Sequence, residues 1–154
     1  MGTRHIIFVT LNNETKIAQY GQWDGYPSGV GIDLLNILRG INLHMFKEQV
    51  AKLRFANPSE LENIPDEVLL SKHKELSRDT SSEIIEMVLE SENPESLLLV
   101  DASREKDNSW IEYCWYINLD DETFSMDNNR FATFNLNDLP TNQQFVEQCE
   151  KAAA

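Results

Sequence analysis

No glycine follows Gly40, and only two cysteines, Cys114 and Cys149, occur in 154 residues. Two cysteines so far apart make neither a disulfide scaffold nor a zinc ribbon, so both read as small buried hydrophobes. No stretch approaches 18 consecutive apolar residues, which excludes a membrane-spanning helix. The first residues carry no signal-peptide pattern, and a reduced, cytoplasmic setting is the expectation. His-Glu-x-x-His, Cys-x-x-Cys and EF-hand spacings are all missing, so neither a metal nor another cofactor is expected. There is no Walker loop and no Gly-x-Ser-x-Gly elbow.

Basic residues become scarce after position 56. Residues 1–56 hold six Lys/Arg against four Asp/Glu, whereas residues 57–154 hold seven against 22, a net of −15 within a total of −13. A field of that sign repels nucleic acid and acidic membranes, so direct binding to either is not expected. It favours a basic protein partner, or serves solubility alone.

What the chain does contain suits one folded domain over 1–154. Its 41% hydrophobic content includes seven Phe, four Tyr and three Trp, enough for a core at this length. Residues 1–56 hold a hairpin, a Gly-rich motif and helices; residues 57–154 hold an acidic helical segment and the last strands. Thr3–Thr10 has strand composition, and Asn12-Asn13 suits a tight turn into a second strand over Lys16–Gln22. The glycines of Gly29–Gly31 lead into a helix over Val30–Arg39 stopped by Gly40, and Asn42 caps another. Asn57–Pro65 reads as a polar connection and Asp66–Leu76 as a short helix. Thr80 and Glu83 form a capping box that opens a helix over Ser81–Glu92. Periodicity does not decide the type of Ser96–Val100. Ser109–Leu119 is the clearest strand, followed by partner strands at Thr123–Met126 and Arg130–Leu136. Thr141 and Gln144 cap a final helix with Phe145, Val146 and Cys149 inward. The fold class is therefore α+β: an antiparallel sheet built from an N-terminal and an aromatic C-terminal hairpin, packed against several helices.

Four of the six glycines fall in Gln19–Gly31, and between Gly21 and Gly29 lie two aromatic rings, a carboxylate, an amide and a hydroxyl. Gly29 and Gly31 lie where a helix begins, so their backbone could hold an anion, or they could simply allow positive φ. If the hairpin turns at Asn12-Asn13, Arg4 and His5 pair near Tyr20–Gln22. That brings Arg4, His5, Gln22 and Asp24 to one end of the sheet. Arg4 suits a carboxylate or phosphate, and His5 or Asp24 suits proton transfer. Ser28 offers a hydroxyl at a sharp turn. The candidate catalytic residues are thus His5, Asp24 and Ser28. The candidate ligand-binding set is Arg4, His5, Gln19, Gln22, Trp23, Asp24, Tyr26, Ser28, Gly29 and Gly31, with Trp23 or Tyr26 expected to line one concavity with Asp24 and Arg4.

Met1-Gly2-Thr3-Arg4-His5, followed by Ala18-Gln19-Tyr20-Gly21-Gln22-Trp23-Asp24-Gly25-Tyr26-Pro27-Ser28-Gly29, resembles a family of small uncharacterised proteins of phages, bacteria and fungi. Those share this opening and a Gly-Gln-Trp-Asp-Gly-Tyr-Pro-Ser-Gly-x-Gly core. The resemblance covers the first 40 residues or so, with a looser echo at Tyr113–Thr123. It implies a shared fold and site and supplies no reaction.

Two functions follow. One is a phage-related protein with a pocket at the Gly-rich motif that binds a small anionic ligand and performs chemistry on it if His5, Asp24 or Ser28 is placed to do so. The other is an acidic interaction or inhibitor protein of the anti-defence type, which presents Glu83, Glu86 and Glu90 to a basic, nucleic-acid-binding host partner. Three- and four-residue spacing puts those three carboxylates on one helix face.

Overall fold

A computed structural model describes residues 2–65, 72–128 and 131–153. Strand β1 (Arg4–Leu11) pairs antiparallel with β2 (Glu14–Gly21), placing His5 opposite Gly21. The turn works because Asn12 and Asn13 adopt φ of 54° and 62°, the left-handed pair that a two-residue hairpin requires. Strands β3 (Ile111–Asn118), β4 (Thr123–Asp127) and β5 (Phe131–Asn135) form the second antiparallel group. Sheet order is β2-β1-β3-β4-β5, and β1 runs parallel to β3. The α+β class and both hairpins are as expected. The sheet is mixed, however, because the two groups join through a parallel seam. A parallel neighbour needs a long crossover, and the helices between β2 and β3 lie on that crossover.

These helices are α1 (Ile32–Gly40), α2 (Leu43–Ala51), α3 (Pro58–Glu62) and α4 (Glu83–Glu90); α5 (Asn142–Ala153) follows the sheet. On one sheet face Ile7, Val9, Trp115, Ile117, Phe124 and Met126 meet Leu34, Leu35, Phe46, Ile84, Ile85, Val88 and Phe145 in the main core. Phe124 and Phe145 stack at 5.7 Å between ring centres, with Trp115 at 5.6 and 5.9 Å from them. The other face carries a smaller cluster of Ile6, Phe8, Ala18 and Cys114, with Tyr116 stacked on Phe8 at 4.9 Å. Strand β1 is covered on both faces, as a strand with a parallel neighbour usually is.

Local signals account for most helix ends. The Asn42 side chain accepts the Met45 N–H, and Thr141 and Gln144 exchange hydrogen bonds at 3.1 and 3.2 Å. Asn57–Pro65 is more ordered than a connection: Asn57 and Glu60 form a capping box, with Pro58 at the first helical position. Of Asp66–Leu76, residues 66–71 lie outside the described residues, and Lys74–Leu76 is a single 3-10 turn. Leu99 forms a parallel bridge with Phe55 beyond a short turn at Pro94–Ser96, which settles the ambiguous run. The capping box expected at Thr80 does not form. Helix α4 starts at Glu83 with no side-chain cap, and the Thr80 hydroxyl donates to the Lys74 carbonyl. The Ser81 hydroxyl is committed elsewhere, to His5. Among the described residues no helix is long and apolar enough to cross a membrane.

Candidate functional site

The site forms where β1 begins and β2 ends. His5 is fully buried there, and the glycines around it make the space. A Cβ at Gly21 would lie 2.2 Å from His5 Nε2, and one at Gly25 would lie 2.8 Å from His5 Cβ. No described glycine has positive φ, so freedom of φ does not explain them; the left-handed residue of the motif is Asp24, at 55°. Gly31 similarly lets the helix approach the core, since its Cβ would sit 2.8 Å from the Trp115 ring. The Trp115 indole N–H then donates to the Gly25 carbonyl at 2.8 Å.

His5 Nδ1 lies 3.4 Å from the Thr3 carbonyl oxygen, and Nε2 lies 2.7 Å from Ser81 Oγ. A carbonyl only accepts, so the proton is assigned to Nδ1 and the Ser81 hydroxyl donates to Nε2. Burial pushes the imidazole pKa down to about 4, against smaller opposing effects of the Thr3 carbonyl and the Asp24 charge. The ring is neutral at pH 7. Ser81 itself holds φ of 48°, a left-handed conformation that serine seldom adopts.

The rest of the Gly-rich motif is held by its own contacts. Tyr26 Oη donates to Asp24 Oδ1 at 3.0 Å, and this bond raises the phenol pKa. The Trp23 indole donates to Asp79 at 2.8 Å. The N–H groups of Gly29 and Gly31 point to the Tyr26 carbonyl, and that of Val30 to the Asp24 carbonyl. These three N–H groups are therefore not available to an anion. Ser28 is exposed, and both His5 nitrogens are engaged by other groups. Gln19 is buried, and its amide donates to the Glu75 carbonyl at 2.9 Å.

Two hollows flank this corner. One, of about 640 Å³, is lined by Arg4, Tyr20, Gln22, Arg78, Glu105 and Trp110. The other, of about 180 Å³, includes Trp23, Asp24, Asp33, Arg78 and Ser81 in its wall. Arg4 and Asp24 thus border different hollows, and Arg78 borders both. The Gln22 N–H donates to the Arg78 carbonyl at 3.2 Å, tying segment 77–81 across the hairpin end. Among the ion pairs of the described residues, neither Arg4 nor Arg78 takes part. Tyr20 Oη donates to Gln22 Oε1, and the face of Trp110 is open to solvent.

No known protein family, curated protein or solved structure matches this chain.

The corner therefore stands on its own chemistry. Arg4, Gln22, His5, Trp23 and Asp24 gather at one sheet end, as the hairpin pairing implies. Arg78, Ser81 and Trp110 join them without having been singled out. Only Ser81 carried a signal, as part of a Ser-Ser pair at a helix start; Arg78 reaches the site through a contact across 56 residues. Elsewhere, Glu83, Glu86 and Glu90 are exposed on α4 while Ile84, Ile85 and Val88 are buried. The thiols of Cys114 and Cys149 are pushed up by burial, to about 11 and about 12, which removes both as nucleophiles at neutral pH. No cluster of three or more His, Cys, Asp or Glu side chains suited to a metal ion occurs among the described residues.

Proposed function

We propose that the protein binds a small anionic ligand in the hollow between Arg4 and Arg78. One observation carries this reading: two guanidinium groups outside any described ion pair border one hollow, in a chain of net charge −13. Glu105 also borders that hollow, and neither guanidinium forms a described ion pair with it. A carboxylate or phosphate fits a guanidinium fork in bidentate fashion. Gln22 and Tyr20 supply further polar groups, and Trp110 an apolar wall. A phage-related protein working in the cytoplasm remains the setting we propose for it.

Native mass spectrometry of protein purified from cells tests this directly, followed by calorimetric titration of any retained anion. Arg4→Gln and Arg78→Gln should each weaken binding at least about tenfold, with a steep dependence on salt. Unchanged affinity in both variants would refute the assignment.

A second reading is supported by the exposed Glu83, Glu86 and Glu90 on α4, none of which takes part in a described ion pair. It makes α4 the contact for a basic, nucleic-acid-binding host protein, in the manner of an anti-defence inhibitor. Changing all three to Lys should abolish capture of such a partner, and retention would refute it.

A further inference from the structure

We propose that Ser81 and His5 form a nucleophile–base pair that hydrolyses carboxylic esters bearing an anionic group. The inference rests on the anion-binding reading only for the substrate's charged end.

The geometry is that of an activated hydroxyl. Ser81 Oγ lies 2.7 Å from Nε2 of a neutral imidazole whose other nitrogen faces the Thr3 carbonyl. That is the tautomer in which Nε2 can accept the hydroxyl proton. The two partners differ in access. His5 is fully buried, whereas Ser81 is half-buried and borders the hollow of about 180 Å³. Ser81 thus presents to the hollow while the base stays shielded from water.

Two structural features accommodate this contact. Gly21 and Gly25 omit side chains that would collide with the imidazole. An apolar residue at position 5 would fill a strand interior without such provision. Ser81 also holds the left-handed backbone, at φ 48°. Strain at a nucleophile that turns from loop into helix is a recurring device for presenting the hydroxyl. Among the described residues the Ser82 N–H has no acceptor, while the Glu83, Ile84 and Ile85 N–H groups bond back to the carbonyls of Thr80, Ser81 and Ser82. An N–H immediately after the nucleophile is a usual donor to a developing oxyanion.

The reaction follows from these positions. Ser81 Oγ attacks the ester carbonyl carbon and its proton passes to His5 Nε2. The carbon–oxygen bond to the leaving alcohol breaks, and that alcohol takes the proton from Nε2, leaving an acyl-Ser81 ester. Water then attacks the acyl carbon and gives a proton to Nε2. The bond to Oγ breaks, Oγ recovers the proton, and the carboxylic acid departs. The Asp24 charge, which already favours protonated His5, stabilises the transient imidazolium. The hollow at Ser81 also carries Asp24, Asp33, Asp79 and Glu83, so an anionic group is held on the other side of Arg78, in the hollow it shares with Arg4, while the carbonyl sits at Ser81.

The test is labelling of the intact protein with a fluorophosphonate, with peptide mapping by mass spectrometry. One adduct is expected on Ser81. It should vanish in Ser81→Ala and slow at least tenfold in His5→Gln. No adduct on Ser81, or an equal rate in folded His5→Gln, overturns the pair. Wild type and Ser81→Ala decide the outcome even where His5→Gln does not fold. Substrate class is read separately. A chromogenic hemisuccinate ester should be hydrolysed faster than the neutral acetate, and Arg78→Gln should remove that preference. Equal rates for the two esters overturn the anionic class. A failure to label sinks the pair while leaving anion binding to be judged by titration.

Discussion

At Gly21 a methyl group would lie 2.2 Å from the His5 ring, whereas at Gly40 it would meet nothing within 4 Å. The same substitution should therefore have opposite signs at the two positions. Gly21→Ala is expected to destabilise by about 1–3 kcal/mol through overpacking, and Gly40→Ala to stabilise by about 0.5 kcal/mol through lost chain entropy. Urea denaturation of both variants measures this. His5 also gives the protein a pH dependence of known sign. Its pKa falls from 6.5 to about 4 on folding. Between those values the unfolded chain holds a proton that the folded protein does not. The contribution of His5 is thus complete above pH 6.5, declines as pH falls towards about 4 and is then exhausted. Its full size is about 3 kcal/mol, at roughly 1.4 kcal/mol per pH unit. The stability difference between wild type and His5→Gln, measured at several pH values, should narrow on that acid limb. A difference that stays constant from neutral pH to pH 4 would contradict the buried neutral ring.

At the scale of elements, the hairpin turns show what a sequence can and cannot disclose. Asn12-Asn13 declared its turn because the left-handed conformation is a local preference. Asn13→Gly should keep or raise the melting temperature, while Asn13→Val should cost about 1–2 kcal/mol, since a β-branched residue resists positive φ. The clasp on that turn was not legible. The N–H groups of Asn12 and Asn13 donate to the Asp120 carboxylate at 2.7 and 2.9 Å, across more than 100 residues. These two bonds, Asn13's being the larger effect, hold the Asp120 pKa down. A depressed carboxylate stabilises above its unfolded pKa and loses that contribution as acid protonates it. Asp120→Ala should therefore melt earlier at pH 7, and the gap from wild type should close in acid. Helix caps divide in the same way. Asn42, and Thr141 with Gln144, cap as their spacing implies because cap and target are neighbours. The box at Thr80 failed because groups outside the helix, Lys74 O six residues back and His5 Nε2 far along the chain, compete for the Thr80 and Ser81 hydroxyls. The same limit hid Arg78 and the parallel seam, each of which depends on a long-range contact with no local trace.

For the whole molecule, the net charge of −13 makes self-repulsion a standing cost that salt relieves. The melting temperature of the wild type should rise with moderate salt. Reversing Glu83, Glu86 and Glu90 to Lys changes the net charge by +6, from −13 to −7, so the variant should show a flatter salt response and an equal or higher melting temperature. A fall in melting temperature would mean that the three carboxylates make stabilising contacts within the fold. The order of the sheet has a further consequence, in time rather than space. Strand β1 is interior to the sheet, yet the parallel partner on its open side, Ile111–Asn118, is encoded about 100 residues later. At about 5–20 residues per second, the ribosome leaves that edge bare for about 5–20 s. The nascent hairpin is a ready acceptor for any passing strand during that interval, a chaperone's or a neighbouring copy's, before the chain's own partner emerges.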